Sequence, residues 1–531
     1  MQQKKYFFHF SFFTLLFLSI IFLLPVKMEQ TDEFGLMILA SGIYTRGHES
    51  MLIFVSPIIG KFLNFLYSSN SEKYNWYSIF IVSVYFISWF SILNLVLRAK
   101  EFTREKTLGF YFLFLTFGVY FLLNFSFTVA SFLLGIASIL HYLFSEKTKV
   151  NVALFVVFFV ACLLLRSFVF YYLMILFLGI IILGYLLNNR KIEFRQLSFL
   201  LIFASLFFLV NNNIISKNQE WKKFLDYNIV RGQLQDNPNF YFNNKDEIKL
   251  KMNWTETDYQ MLYNWNTDIE NKFNKNELQK LLRSIKTSTF WSLYYMQFVL
   301  ANSIFYYVLI LLLLFLVINR NFNLFFFLLV AFFLSTLVLT AQVYIMKERV
   351  FLPVLFLLFT LLLFNYKFEK SNYLLSVSAL IFFIFINYQS YSKVLETQHQ
   401  MSILKENKKV FDNFKQEDFV LWGDLKLNYF TGFYQPYLSL KGRIYISNWF
   451  SNSPHNIKIL SKRNTKSIYE YSVQNSNCLW IVEKDKFEFK SNLLRQCYLE
   501  NYGLNVVFEK ITTSKKNTWI LFKIKKIILP I

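Results

Sequence analysis

Apolar residues in this chain come in long unbroken stretches, with no alternation and no polar stripe. Leu108 to Leu123, Val152 to Leu165, Phe168 to Leu187 and Ile304 to Ile318 carry almost no charge. These runs reach or approach the ~17–25 residues that a membrane-spanning helix needs. A buried helix of a water-soluble protein would show a polar face at 3.6-residue spacing, and these show none. The first span falls within Met1 to Val26, where Lys4 and Lys5 precede the apolar stretch. That stretch exceeds the ~7–15 residues of a signal-peptide core and no small-residue cleavage site follows, so it predicts an uncleaved span. Further spans are predicted at 74–97, 107–123, 126–144, 150–165, 168–187, 197–213, 297–318, 324–345, 350–366 and 373–391, eleven in all.

The polar connections give these spans a direction. With the N-terminus in the cytoplasm, the inner loops carry Arg98, Lys100, Arg104 and Lys106; Lys147 and Lys149; Arg190, Lys191 and Arg195; Arg320; and Lys367 and Lys370. Each of these loops is short and basic, as the positive-inside rule requires. The outer side then holds loop 27–73, the turns near Asn124 and at Arg166, the long loop 214–296, the turn Lys347-Glu348-Arg349 and everything beyond residue 391. Ile58, Ile59, Phe62, Leu63 and Leu66 recur at helical spacing and predict an interfacial helix in the first outer loop. Thr255-x-x-Asp258 and Asn274-x-x-Glu277 have the form of capping boxes and predict two short helices lying on the membrane surface in the long loop.

Beyond residue 391 the pattern shortens. Phe419 to Trp422, Arg443 to Ser447, Cys478 to Val482, Leu504 to Phe508 and Thr518 to Ile524 read as strands, with Ile457 to Ser461 and Lys490 to Glu500 as helices between them. The predicted fold is an all-α polytopic membrane domain of about 11 transmembrane helices over residues 1–391, plus a small C-terminal α/β soluble domain over 392–531.

Composition supports this division. The chain is 55% hydrophobic and 21% aromatic with only 14 Gly and 7 Pro, above the roughly 45–50% apolar content of soluble domains. The surplus aromatics read as lipid-facing bulk. The formal charge of +22 would suit nucleic acid, but much of it lies in the inner loops, where topology explains it, so no nucleic-acid partner is expected. From residue 392 onward 22 Lys/Arg stand against 12 Asp/Glu, a balance compatible with a solvated surface or with anionic headgroups or polymers. Cys478 and Cys497 can form a disulfide if this part meets an oxidising compartment.

Ionisable groups beside membrane spans are functional candidates by default. One face collects Asp32, Glu33, Arg46, His48 and Glu49 from the first loop, Arg166 from a tight turn, and Lys347, Glu348 and Arg349 from another. A carboxylate that takes a proton from an acceptor hydroxyl, beside cations that hold a phosphate leaving group, is what transfer from a lipid phosphate requires. Each residue also has a plainer role. Asp32 and Glu33 can cap the helix that Thr31 starts, Arg166 can anchor at the interface, and Lys347-Glu348-Arg349 can be an ordinary polar turn. The sequence contains no dinucleotide or phosphate-binding glycine motif, no nucleophile elbow and no His/Cys spacing for a metal. No cofactor is expected; the one metal chemistry left open is a divalent ion on Asp32 and Glu33.

Thr31-Asp-Glu-Phe-Gly-Leu-Met-Ile-Leu-Ala-Ser-Gly-Ile-Tyr44-Thr45, followed by His48-Glu49 and Asn75-Trp76-Tyr77, resembles the first outer loop of a family of multi-pass proteins from bacterial surface-polysaccharide clusters. Asp226-Tyr-Asn228, Arg231, Asp236, Thr257-Asp-Tyr259 and Trp265-x-x-Asp268 resemble that family's long loop. The architecture is similar to that of GT-C superfamily glycosyltransferases. The resemblance implies a bacterial cytoplasmic-membrane enzyme that moves a sugar from a polyprenyl-phosphate donor to a surface glycan or glycolipid. Asp32 or Glu33 would act as general base. Arg166, Lys347 and Arg349 would bind the donor phosphate, and Tyr44, Arg46, His48, Glu49, Arg231, Asp236 and Glu348 would line the acceptor side. A polysaccharide polymerase and a non-enzymatic export scaffold or transporter remain open alternatives. The former would tend to lack the terminal domain, and the latter would place charges at mid-membrane.

Overall fold

The computed structural model describes residues 2–29, 31–42, 48–69, 74–99, 104–188, 194–237, 240, 245–269, 271–285, 348–365, 373–414, 417–422, 444–514 and 518–527. Every span expected from the sequence coincides with a helix, except 297–318 and 324–345, which lie outside the described residues. Among the described residues five helices are long and apolar enough to cross a membrane: Lys4–Leu23, Trp76–Arg98, Arg104–Leu123, Phe127–Phe144 and Phe194–Lys217. Lys149–Leu165 and Ser167–Ile182 are shorter apolar helices. The chain is an integral membrane protein. Phe7, Phe8, Leu15 and Phe22 on the first helix, and Leu201, Ile202 and Leu209 on the Phe194–Lys217 helix, stand exposed as lipid-facing side chains would.

Phe127–Phe144 is the centre of the bundle, with every residue from Phe127 to Tyr142 buried. It lies against Lys149–Leu165, where Ser131 donates to the Cys162 carbonyl at 3.0 Å. The two ends of the bundle differ. At one end Lys106 Nζ donates to the Phe364 carbonyl at 3.2 Å, and Phe364 stacks on Phe144 with ring centroids 4.6 Å apart. Lys147 caps the nearby Tyr142 carbonyl. These cations come from the loops read as cytoplasmic. At the other end lie Lys27, Asn124, Arg166 and Arg349, together with the first-loop helices Thr31–Ser41 and Pro57–Ser69.

Gly60, on the second of these helices, leaves no room for a side chain, because a Cβ there would stand 2.0 Å from the Ser50 carbonyl oxygen. Backbone cannot yield as a side-chain tip does. Gly60→Ala is expected to cost about 1–3 kcal/mol of stability through overpacking, visible as a lower thermal midpoint of the purified protein.

A 39-residue helix, Tyr373–Phe411, leads from the last expected span to the terminal sheet. That sheet has five strands: β1 Asp418–Trp422, β2 Ile444–Ser447, β3 Cys478–Glu483, β4 Val506–Thr513 and β5 Trp519–Lys526. Their order is β2-β1-β3-β5-β4, with β2, β1 and β3 parallel and the remaining pairs antiparallel. The core is aromatic: Trp422, Trp480 and Trp519 are among its fully buried side chains. Helix Phe487–Tyr502 covers it and ends at Gly503, whose φ of 63° makes a left-handed cap.

The Cys478–Cys497 disulfide that the sequence allows is not formed; both are free, buried thiols. Cys478 opens β3 with its sulfur 3.3 Å from Ser472 Oγ, and Cys497 sits on the covering helix with its sulfur 3.8 Å from Asn501 Nδ2.

The long loop is more than a pair of surface helices. It also forms Gln219–Gln235 and Lys245–Met252, and Thr255 and Asp258 make a full capping box. A polar seam joins it to the terminal sheet. Thr257 donates to Glu500 at 2.9 Å, Asn266 to Ser447 at 3.0 Å, Tyr469 to Asn266 at 3.0 Å, and Tyr445 to Asp268 at 2.8 Å. Of the two short helices expected on the membrane surface, Glu256–Tyr263 thus leans on the terminal domain, while Lys275–Ser284 packs against Gln219–Gln235.

Candidate functional site

The chain leaving the first helix is pinned before it reaches the acidic pair. Lys27 and Met28 bridge in parallel to Asn124 and Phe125, and the Glu29 amide donates to the Phe125 carbonyl at 3.0 Å. Helix Thr31–Ser41 then begins, with Asp32 and Glu33 in its first turn, where the helix dipole favours carboxylates. Leu36 to Ala40 are completely buried, so this helix is sunk into the bundle end. That rigidity fixes where the carboxylates stand.

Asp32 Oδ2 lies 3.9 Å from Arg349 Nη2, joining the first loop to the start of helix Glu348–Asn365. The Arg349 side chain is only 5% exposed, and its Nη1 has no hydrogen-bond partner. A buried guanidinium nitrogen with no acceptor is costly, so this N–H is a donor available to an incoming oxygen. Glu33 differs from its neighbour. It is fully buried, and burial, Asp32 and Glu29 push its carboxyl up to about 8 against the pull of Arg349. Near neutral pH it holds its proton.

That shift carries a stability consequence. The folded protein holds the Glu33 proton more tightly than an unfolded chain does, so stability present below about pH 4.5 is progressively lost as pH rises toward 8. Glu33→Gln is expected to flatten this part of the curve and to raise the melting temperature at pH 8 relative to wild type. An unchanged slope would contradict a neutral Glu33.

Arg166 caps the end of helix Lys149–Leu165 and donates through Nη1 to Thr128 Oγ1 at 2.9 Å. Its guanidinium carbon stands 4.7 Å from the Phe127 ring centroid and 5.4 Å from that of Phe54. Burial first, then Arg349, push it down to about 10, while Asp32, Glu33 and Asp236 pull the other way. It stays charged near neutral pH. Asp32, Glu33, Arg166, Arg349 and Asp236 therefore belong to one electrostatic cluster.

The other expected residues have different surroundings. Glu348 turns to Lys393, 3.8 Å away. Glu49 pairs with Lys458 of the terminal domain at 3.9 Å, and burial raises its carboxyl. His48 is exposed, with Nδ1 3.2 Å from the Ala40 carbonyl and its ring stacked on Tyr67. Arg231 is occupied by Asn228 and Gln235, with Trp265 and Trp449 under its guanidinium. It braces the loop against the terminal domain. Tyr44, Arg46 and Lys347 lie outside the described residues. Among the described residues no three His, Cys, Asp or Glu side chains are grouped to hold a metal ion.

The terminal domain stands over this end of the bundle. Trp449 packs on Phe54 with centroids 5.6 Å apart, and its ring lies 3.7 Å from where a Gly35 Cβ would be. No protein-family model matches the chain, and no curated protein matches it. Solved structures do match it. This chain is similar to ArnT. The crystal structure of ArnT from Cupriavidus metallidurans bound to undecaprenyl phosphate matches with a TM-score of 0.46 and 9% identity, over 96% of this chain and 97% of that one. The apo structure of ArnT matches with the same TM-score and identity, over 98% of each chain.

Two charged neighbours of the cluster, Glu29 and Lys393, are absent from the sequence-derived set. Glu29 is near enough to raise Glu33, and Lys393 neutralises Glu348. Lys393 carried a signal: a cation two residues past the last span, on the side where the positive-inside rule expects few. Glu29 is the first carboxylate after the opening helix.

Proposed function

We propose that the chain is a membrane glycosyltransferase that moves a sugar from a polyprenyl-phosphate carrier to a glycan or glycolipid acceptor at the outer face of the bacterial cytoplasmic membrane. The observation that carries this reading is the Arg349 guanidinium, tied to Asp32 on one side and left with a buried, partnerless Nη1 on the other. It offers a donor to a phosphate oxygen next to a carboxylate. Asp32 takes the acceptor hydroxyl proton, and the acceptor oxygen attacks the anomeric carbon from the face opposite the phosphate. The carbon–oxygen bond to the phosphate breaks, its electron pair stays on the phosphate, and the configuration inverts. The phosphate gains one negative charge in that step, and Arg349 with Arg166 stabilises it. Glu33, protonated near neutral pH, is unsuited to take the proton. This narrows the base from the pair to Asp32.

The terminal domain over the same end favours a transferase over a polymerase, because it adds a wall to the acceptor side. Purified protein in lipid nanodiscs, given a polyprenyl-phosphate-linked sugar and a crude glycolipid extract, should release polyprenyl monophosphate together with a glycosylated lipid. Release that occurs equally with an Asp32→Asn variant, or no release with any donor–acceptor pair from a panel of such carriers, would defeat the proposal.

A further inference from the structure

We propose that Lys393 is a positioning residue of the phosphate site: it holds and neutralises the Glu348 carboxylate, so that no stray negative charge opposes a phosphate at the adjacent Arg349. This rests on the reading of Arg349 as a phosphate ligand.

Lys393 lies on helix Tyr373–Phe411, outside every motif that suggested the site. Its Nζ stands 3.8 Å from Glu348 Oε2 and 3.7 Å from the Tyr120 ring centroid. The Asn124 amide, turned with its oxygen toward the ammonium, accepts from it at 3.3 Å. Three partners from separate elements thus fix one largely buried cation. Glu348 and Arg349 are consecutive helical residues, so their side chains leave the axis about 100° apart and reach different partners. One finds Lys393 and the other Asp32. Without Lys393, the Glu348 carboxylate keeps an uncompensated negative charge one residue from Arg349, and that charge opposes the binding of a phosphate there.

The same helix also grips the acidic segment. Lys27 Nζ donates to Gln400 Oε1 at 3.1 Å and lies 3.6 Å from Glu396 Oε1. Lys393, Glu396 and Gln400 are spaced three and four residues apart and share one helix face. One face of one helix therefore sets both Glu348-Arg349 and the strand that leads into Asp32.

The test measures binding of undecaprenyl monophosphate by the purified full chain in detergent, comparing wild type with Lys393→Met, Lys393→Arg, Glu348→Gln/Lys393→Met and Arg349→Gln. Lys393→Met should bind about ten-fold more weakly, and the double variant should return to within about three-fold of wild type because the stranded carboxylate is gone. Lys393→Arg should stay near wild type. A generic loss of packing would not be rescued by a second substitution. Wild-type affinity in Lys393→Met, or a double variant as weak as the single one, overturns the proposal. If Lys393→Met does not fold, the double variant decides: near-wild-type affinity supports the proposal and a ten-fold loss overturns it. If Arg349→Gln binds like wild type, the phosphate reading itself fails. If Arg349→Gln loses binding while Lys393→Met keeps it, only the role of Lys393 fails.

Discussion

Asp32→Asn is expected to lower turnover by about 10²–10⁴-fold, the usual contribution of a positioned general base, with affinity for polyprenyl phosphate changed only a few-fold. The asparagine keeps the size of the side chain and its place in the first turn of helix Thr31–Ser41. What disappears is the charge that accepts the proton and faces Arg349. Glu33→Gln should cost far less, because at neutral pH the wild-type Glu33 already carries its proton. Initial-rate measurements on matched, well-inserted variants separate the two. Equal losses would mean that the pair works as a unit, with the base not assignable to Asp32.

Arg349→Gln is expected to have two effects at once. Binding of polyprenyl monophosphate should weaken by about 10–10²-fold, the loss of a charge-assisted hydrogen bond worth about 1.5–3 kcal/mol. Stability should also fall by about 3–5 kcal/mol, because a carboxylate at the bundle end is left without its buried partner. Arg349→Lys should recover part of the stability but little of the binding. A single ammonium can face Asp32 or the phosphate, whereas the guanidinium fork can face both. Lipid binding and thermal midpoints measured on the same preparations give both numbers.

The spans that fall on described residues and the terminal α/β alternation were legible because long apolar runs and short strands write their periods directly into the chain. The same holds for the Thr255–Asp258 cap, whose hydrogen bonds close within four residues. The Asp32–Arg349 pair spans more than 300 residues. Only the rule that charge is expensive beside a membrane pointed to both members. That rule gives a face of the membrane and no partners, so Glu348, read as lining the acceptor side, turns out to serve Lys393. Arg231, read the same way, is held in place by its own helix and two tryptophans. The polar seam between the long loop and the terminal sheet was illegible for a similar reason. Asn266 and Thr267 look like any loop residues, and Asp268 carries only the resemblance, until Tyr445, Ser447, Asn448 and Tyr469 are brought against them.

The position of the lipid phosphate decides the matter most directly. A structure of the full chain in a bilayer mimic with polyprenyl monophosphate bound should place a phosphate oxygen within hydrogen-bond distance of Arg349 Nη1, with Arg166 facing the same group and Asp32 beside it. A phosphate bound elsewhere in the bundle, with Arg349 Nη1 still unpartnered, would contradict a transferase site built on this pair.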